Sequence, residues 1–210
     1  MAKVLYIQVS PRGERSYSTA AAEAFLASYR EANPKDEIIT VNLFNKELPP
    51  FDGNALQAKY NIMHGEEHSE QDRAAWRAVE AVIEEFKSAD KYVFSVPMWN
   101  FGIPYRLKHY FDVIVQPTYT FNVTEEGAYE GLVTGKPAFV ACSRGGAYSE
   151  GTGGEALDHQ TTYLKTILGF MGFTDPTILA VEPTLAAGPD AAKKAKEDGI
   201  AKAKELAKKF

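Results

Sequence analysis

Lys91-Tyr92-Val93-Phe94-Ser95-Val96 runs directly into Pro97-Met98-Trp99-Asn100-Phe101-Gly102-Ile103-Pro104, and Tyr105-Arg106-Leu107-Lys108 and then Asp112 follow. The first six residues are mostly β-branched or aromatic and read as a strand. Beyond the loop, Leu107, Tyr110, Phe111 and Ile114 recur at helical spacing, so a strand passes through a stiff loop with two prolines and a glycine into an amphipathic helix. A strand that hands over to a helix in this way is the repeating unit of a parallel sheet.

The same unit recurs on both sides of this stretch. Residues 3–9, 37–42, 136–142 and 177–181 are further strand candidates. Helical spacing returns at Ala22/Phe25/Leu26/Tyr29, at Val79/Val82/Ile83/Phe86 and at Leu164/Ile167/Leu168/Met171, and a last helix starts near Pro189, where proline is tolerated as a first helical residue. The alternation predicts one α/β domain over residues 1–210: a three-layer sandwich in which a five-stranded parallel sheet carries helices on both faces. Five strands suit the flavodoxin-like order better than the six-stranded dinucleotide fold, and in both, ligands bind outside the carboxyl ends of the strands. Two connections exceed a minimal α/β loop. Residues 43–69 hold Leu48-Pro49-Pro50-Phe51, and residues 116–135 hold Tyr119, Phe121 and Tyr129; both are candidates for a site or an interface.

Composition narrows the partners. A net charge of −5 and a pI near 5.5 oppose nucleic acid or an anionic membrane, because a polyanion repels such a chain unless a basic patch is concentrated somewhere. The lysines between Lys193 and Lys209 alternate with Ala and Glu at helical spacing and read as a solvated helix face with cations biased toward its C-terminus. The apolar run from Val4 to Val9 is too short for a signal sequence and no segment approaches a membrane span. One cysteine excludes an internal disulfide, and together these features predict a cytoplasmic protein.

The strand ends hold the chemistry. After Ser10 the chain runs Pro11-Arg12-Gly13-Glu14-Arg15-Ser16-Tyr17-Ser18 into a helix, where hydroxyl donors and unpaired N–H groups at a helix start favour a phosphate dianion; alternatively Ser16 or Ser18 only caps the helix. The 97–104 loop can lay rigid backbone groups along a flat heterocycle with Met98, Trp99 and Phe101 as apolar walls, or its aromatics belong to the core. The fourth strand ends in Cys142-Ser143-Arg144-Gly145-Gly146, whose glycines allow close backbone approach to a ligand.

Taken together, these three segments, in this order at three successive strand ends, resemble the FMN-dependent NADH-azoreductases among the flavodoxin-like NAD(P)H:quinone oxidoreductases, over nearly the whole chain. The resemblance implies that Ser10, Ser16, Tyr17 and Ser18 bind the FMN phosphate. It implies that Pro97, Met98, Trp99, Asn100 and Phe101 line the isoalloxazine, and that Ser143, Arg144, Gly145 and Gly146 meet its pyrimidine edge. Trp99 stands where the family commonly has Tyr, which bears on substrate preference more than on cofactor binding. The family places FMN at a homodimer interface with aromatics of the second subunit over the open flavin face; Phe121 is the best match, and Tyr129, Tyr119, Tyr163 and Phe173 are weaker ones. The implied activity is two-electron reduction of quinones and reductive cleavage of azo compounds, with NADH or NADPH as donor. Donor and acceptor would use one slot in turn, with no side-chain catalyst because the cofactor supplies the chemistry.

Other readings are set beside this one. A flavodoxin-type electron carrier with a protein partner would be strongly acidic and would lack aromatic loops, and a non-catalytic FMN- or nucleotide-binding module is a third possibility. Cys142 ends an apolar strand and reads as a small buried hydrophobe. His64-Gly65-Glu66-Glu67-His68 has glycine where a zinc-protease helix needs glutamate and reads as a solvated loop, so no metal site is expected. His109 and His159 read as surface or satisfied structural histidines. Gly151-Thr152-Gly153-Gly154 follows no new strand and is no dinucleotide fingerprint.

Overall fold

The computed structural model describes residues 1–64, 66–67 and 69–210. Five strands form one parallel sheet: β1 (Lys3–Gln8), β2 (Glu37–Asn42), β3 (Lys91–Pro97), β6 (Ala138–Ser143) and β7 (Thr177–Val181), in the order β2-β1-β3-β6-β7. Register is continuous across the centre, with Val4 opposite Ile38 and Lys91, and Phe94 opposite Val140. The order reverses between β1 and β3, and a sheet of this kind opens a crevice at the carboxyl ends of the two strands flanking the reversal.

Side-chain alternation along the central strands divides the core in two. Leu5, Ile7, Tyr92, Phe94, Val96, Val140 and Cys142 point to one face, under α3 (Glu70–Lys87), α4 (Tyr105–Ile114) and α5 (His159–Met171). Val4, Tyr6, Val93, Phe139 and Ala141 point to the other, under α1 (Tyr17–Ala32) and α6 (Gly188–Ala207). Phe25 of α1 lies flat on Phe139, ring centroids 3.9 Å apart. Each fully buried ring or aliphatic side chain of this kind contributes about 1.5–3 kcal/mol.

Both long connections contain structure that the sequence pattern does not announce. α2 (Gly53–His64) occupies the first; its N–H groups at Asn54 and Ala55 bond to the Asp52 carboxylate, which caps it. Its buried residues are Ala55 and Ala58, while Leu56 and Tyr60 face out, so apolar spacing gives no helical signal there. The second holds a hairpin, β4 (Phe121–Val123) paired antiparallel with β5 (Tyr129–Gly131). β6 begins two residues later than the sequence suggests, since Pro137 has no N–H to give a neighbouring strand. The reading of 64–68 as a solvated loop falls on Gly65 and His68, which lie outside the described residues.

The hairpin is fastened to the end of α5 by main chain. Val133 N donates to Met171 O at 2.8 Å, and a Cβ placed on Gly131 would stand 2.2 Å from the Gly172 nitrogen. Gly131→Ala should therefore lower stability by about 1–3 kcal/mol through overpacking against backbone that has nowhere to go. Urea denaturation of the purified variant checks this, and an unchanged midpoint would show that the hairpin is not held by that contact.

Candidate functional site at the carboxyl ends of the sheet

The loop after β1 contains a 3-10 turn, Gly13–Arg15, and then starts α1. Ser10, Ser16 and Ser18 are all buried. Ser16 Oγ accepts from Thr19 N at 3.3 Å and lies 3.1 Å from Ser18 Oγ, so Ser16 is an N-cap, as one of the two sequence readings had it. The arrangement still gathers hydroxyls at the positive end of a 16-residue helix, where first-turn N–H groups and the macrodipole favour an anion.

After β3 the chain makes a two-residue turn in which Trp99 and Gly102 exchange both backbone hydrogen bonds at 3.0 Å. Asn100 and Phe101 have φ of +48° and +67°, the signs required by a type I′ turn. Asparagine tolerates that region; for phenylalanine it costs about 1–2 kcal/mol. Strain of this kind persists where surroundings over-determine it, and it concentrates at sites that bind. The turn leaves the N–H groups of Asn100 and Phe101 without a partner among the described residues, and it leaves Trp99 and Phe101 exposed. An open cleft of about 800 Å³ adjoins it, lined in part by Phe51, Trp99, Tyr105 and His109. His109 Nε2 meets Pro49 O at 2.9 Å, which is a structural role.

The segment after β6 lies alongside. Met98 N donates to Ser143 O at 2.8 Å, and the Phe101 ring meets Tyr148 edge-on at 6.1 Å. Gly145 O accepts from Leu185 N and Ala186 N, whereas the N–H groups of Gly145 and Gly146 find no partner among the described residues. A Cβ on Gly146 would stand 2.8 Å from the Tyr148 hydroxyl, so only glycine lets that ring close over the backbone. Two pairs of donors without a partner among the described residues, at 100–101 and 145–146, thus follow the neighbouring strands β3 and β6, and the serines at the start of α1 follow β1 on the other side of β3.

Arg144, grouped by sequence with the residues facing the cofactor, is 2% exposed, and its polar groups are engaged within the chain. Its guanidinium pairs with Asp158 at 3.0 Å and Glu182 at 3.2 Å and bonds to Gln160 and Thr161; its own N–H goes to Val181 O and its carbonyl accepts from Thr184. Burial alone would raise the Glu182 carboxyl, but hydrogen bonds from Ser149 and Tyr148 and the Arg144 charge hold it below the usual carboxylate value.

Phe121 and Tyr129 do not reach this crevice within one chain. α5 starts at the carboxyl ends of the strands and runs back roughly 20 Å at 1.5 Å per residue, and the hairpin sits at its far end. There Phe121, Tyr129 and Phe170 form one aromatic cluster, with Phe170 4.6 Å from Phe121 and 5.2 Å from Tyr129. Phe170 belongs to this patch and escaped notice in the sequence because it lies inside a helix otherwise read as core. Tyr119 bonds to Glu80. Tyr163 is half-buried against Phe111, and Phe173 is core, packed on Tyr92, and offers no ring to a ligand. Cys142 is fully buried, which pushes its thiol up to about 12, so it is no nucleophile at neutral pH. Among the described residues no cluster of three or more His, Cys, Asp or Glu could hold a metal.

The architecture and the strand-end crevice are those of flavodoxin-like proteins, and a family model described as "Flavodoxin-like fold" matches residues 2–207. An FMN-dependent NADH:quinone oxidoreductase of Nitratidesulfovibrio vulgaris is 50% identical over 210 residues, covering 100% of both chains. The crystal structure of an azoreductase from Bacillus anthracis superposes with a TM-score of 0.91 at 32% identity, covering 100% of both chains. An FMN-dependent NADH-azoreductase of the same species, in complex with FMN, superposes at 0.85 with 29% identity, covering 99% of this chain and 100% of that one. The chain belongs to the flavodoxin-like family and, within it, to the FMN-dependent NADH:quinone oxidoreductases.

Proposed function

We propose that this chain is a single flavodoxin-like FMN-binding domain that oxidises NADH and reduces quinones and aromatic azo compounds. The observation that carries the reading is the pair of backbone donor rows at 100–101 and 145–146, without partners among the described residues, at the carboxyl ends of the neighbouring strands β3 and β6 next to a serine-lined helix start after β1. FMN fits that donor set: it is a phosphate dianion joined to a flat ring whose polar edge accepts hydrogen bonds. Bound there, it supplies hydride chemistry, taking an electron pair from the nicotinamide and returning it to the acceptor.

The chain's own residues then have distinct tasks. Ser10, Ser16, Tyr17 and Ser18 hold the phosphate. Pro97, Met98 and Trp99 wall the ring, and the N–H groups of Asn100 and Phe101 orient its central edge. Ser143, Gly145 and Gly146 would meet the pyrimidine edge, where two preorganised amide donors would favour negative charge on the bound ring. The exposed rings of Trp99 and Phe101 exclude water and grip flat substrates. A flavodoxin-type carrier is the poorer reading, since relatives of this length and identity are named as oxidoreductases.

We further place the working unit as a cytoplasmic homodimer. No described helix is long and apolar enough to cross a membrane, and the one thiol is buried and unpaired. The Phe121/Tyr129/Phe170 cluster, with Val123 and Leu132 exposed beside it, lies at the wrong end of the sheet for its own crevice. A two-fold pairing of chains lets each hairpin lie over the other's flavin face, and isologous pairing is the commonest oligomer symmetry.

Replacing Ser16 and Ser18 together by Ala should cost about 1 kcal/mol of stability through the lost cap. FMN affinity should fall much further, since each donor to a charged group is worth about 1.5–3 kcal/mol. Urea denaturation of the apo variant reads the first and isothermal titration with FMN the second, each against wild type, and unaltered affinity would move the phosphate elsewhere. Steady-state rates at several acceptor concentrations should give parallel double-reciprocal lines, because donor leaves before acceptor enters; intersecting lines would overturn the shared slot. Mass in solution at assay concentration should be that of a dimer, and Phe121→Ala should raise acceptor KM with FMN content unchanged. A fully active monomer would refute the shared site.

A further inference from the structure

Beneath the crevice lies a buried ion cluster that the redox chemistry does not use. Arg144 stands between Asp158 and Glu182, with side chains 2%, 15% and 9% exposed. Its Nε donates to Gln160 Oε1 at 3.0 Å, and the Gln160 amide, fully buried, donates to Val96 O at 3.0 Å. Glu182 accepts from Tyr148 N at 2.9 Å and Ser149 N at 2.8 Å, and Asp158 caps α5 through Thr161 N at 2.8 Å. One guanidinium therefore ties together the ends of β3, β6 and β7, the start of α5 and the Tyr148 turn. Gly145 and Gly146 lie between Arg144 and the Tyr148 turn, both of which the cluster holds.

We propose that Arg144, with Asp158 and Glu182, is a positioning residue for the flavin ring: the cluster holds the 143–149 segment so that the Gly145 and Gly146 amides and the Tyr148 ring are set before the cofactor arrives. This rests on the proposed FMN site. Its argument is chemical economy of placement. A buried pair of carboxylates around one arginine is costly to desolvate and is weak as a source of stability, whereas its fork geometry defines position sharply. Glycine pairs lack the side chains that would otherwise fix their backbone, so their pose has to come from neighbours: Tyr148, which closes over Gly146, is held by the cluster through its N–H bond to Glu182, and Gly145 follows directly on Arg144. Because the segment faces the ring and the phosphate is held elsewhere, loosening the cluster weakens ring binding alone.

The test compares FMN with riboflavin, which has the ring and lacks the phosphate. Apo protein is titrated with each ligand by flavin fluorescence quenching, well below its melting temperature, for wild type, Arg144→Lys, the Ser16/Ser18 double variant and Val82→Ala, a core change remote from the cluster. Arg144→Lys keeps the charge and loses the fork; we expect Kd for FMN and riboflavin to rise by the same factor, about tenfold for one misplaced amide donor, and the visible band of bound flavin to shift. The Ser16/Ser18 variant should lose affinity for FMN only, and Val82→Ala should lose melting temperature with both Kd values and the spectrum unchanged. If Arg144→Lys does not fold, Asp158→Asn, which keeps a capping oxygen, carries the same comparison. Unchanged Kd values and spectrum in a folded cluster variant, or a loss seen with FMN and not with riboflavin, would overturn the proposal. Failure of the FMN site itself looks different: wild type would bind neither ligand, or the Ser16/Ser18 variant would bind FMN as wild type does.

Discussion

A central parallel strand buried on both faces has no side that can carry chemistry. In β1, β3 and β6 successive side chains enter opposite halves of the core, Leu5 and Ile7 to one and Val4 and Tyr6 to the other. Polar function is thereby driven off the strands and onto whatever follows them. The site is built accordingly, from the first residues past β1, β3 and β6, and the helices that start there bring unpaired N–H groups with them. In the proposed site main chain would be the principal recognition surface, which suits a ligand whose polar edge wants donors at fixed spacing.

Main-chain donors have to be aimed, and the three loops are aimed by different means. At α1 a helix start does it, with Ser16 as cap. Past β3 a tight turn with two left-handed residues does it. Past β6 glycines remove side chains altogether, and the task passes to neighbours such as Tyr148 and Leu185 that close over the backbone. The differing means explain why the three loops share no residue pattern while meeting at one crevice.

Fold class and strand order were legible in the sequence because β-branched runs and helical spacing alternate with little interruption from residue 3 onward. The three loops were legible too, since prolines, glycines and serines cluster where strands stop. α2 was not, because among its described side chains alanines are the buried ones and Leu56 and Tyr60 face out. The β4–β5 hairpin was not, for its strands are three residues each, too short for alternation to show. The ion cluster around Arg144 was not legible for a different reason: a charge beside two glycines at a strand end gives no sign of partners 14 and 38 residues away in Asp158 and Glu182. Phe170 was hidden by its helix, whose apolar stripe does not say which rings are covered.

The turn at Asn100 and Phe101 separates two demands that usually coincide. Its backbone would accept glycine at position 101 more readily than any side chain, yet a large ring stands there, exposed, with Tyr148 as its aromatic neighbour. Conformation and identity are thus uncoupled at this residue: the hydrogen bonds between Trp99 and Gly102 set the shape, and the ring is free to be chosen for what it touches. A change of side chain at 101 would reshape the mouth of the crevice without rewriting the loop beneath it.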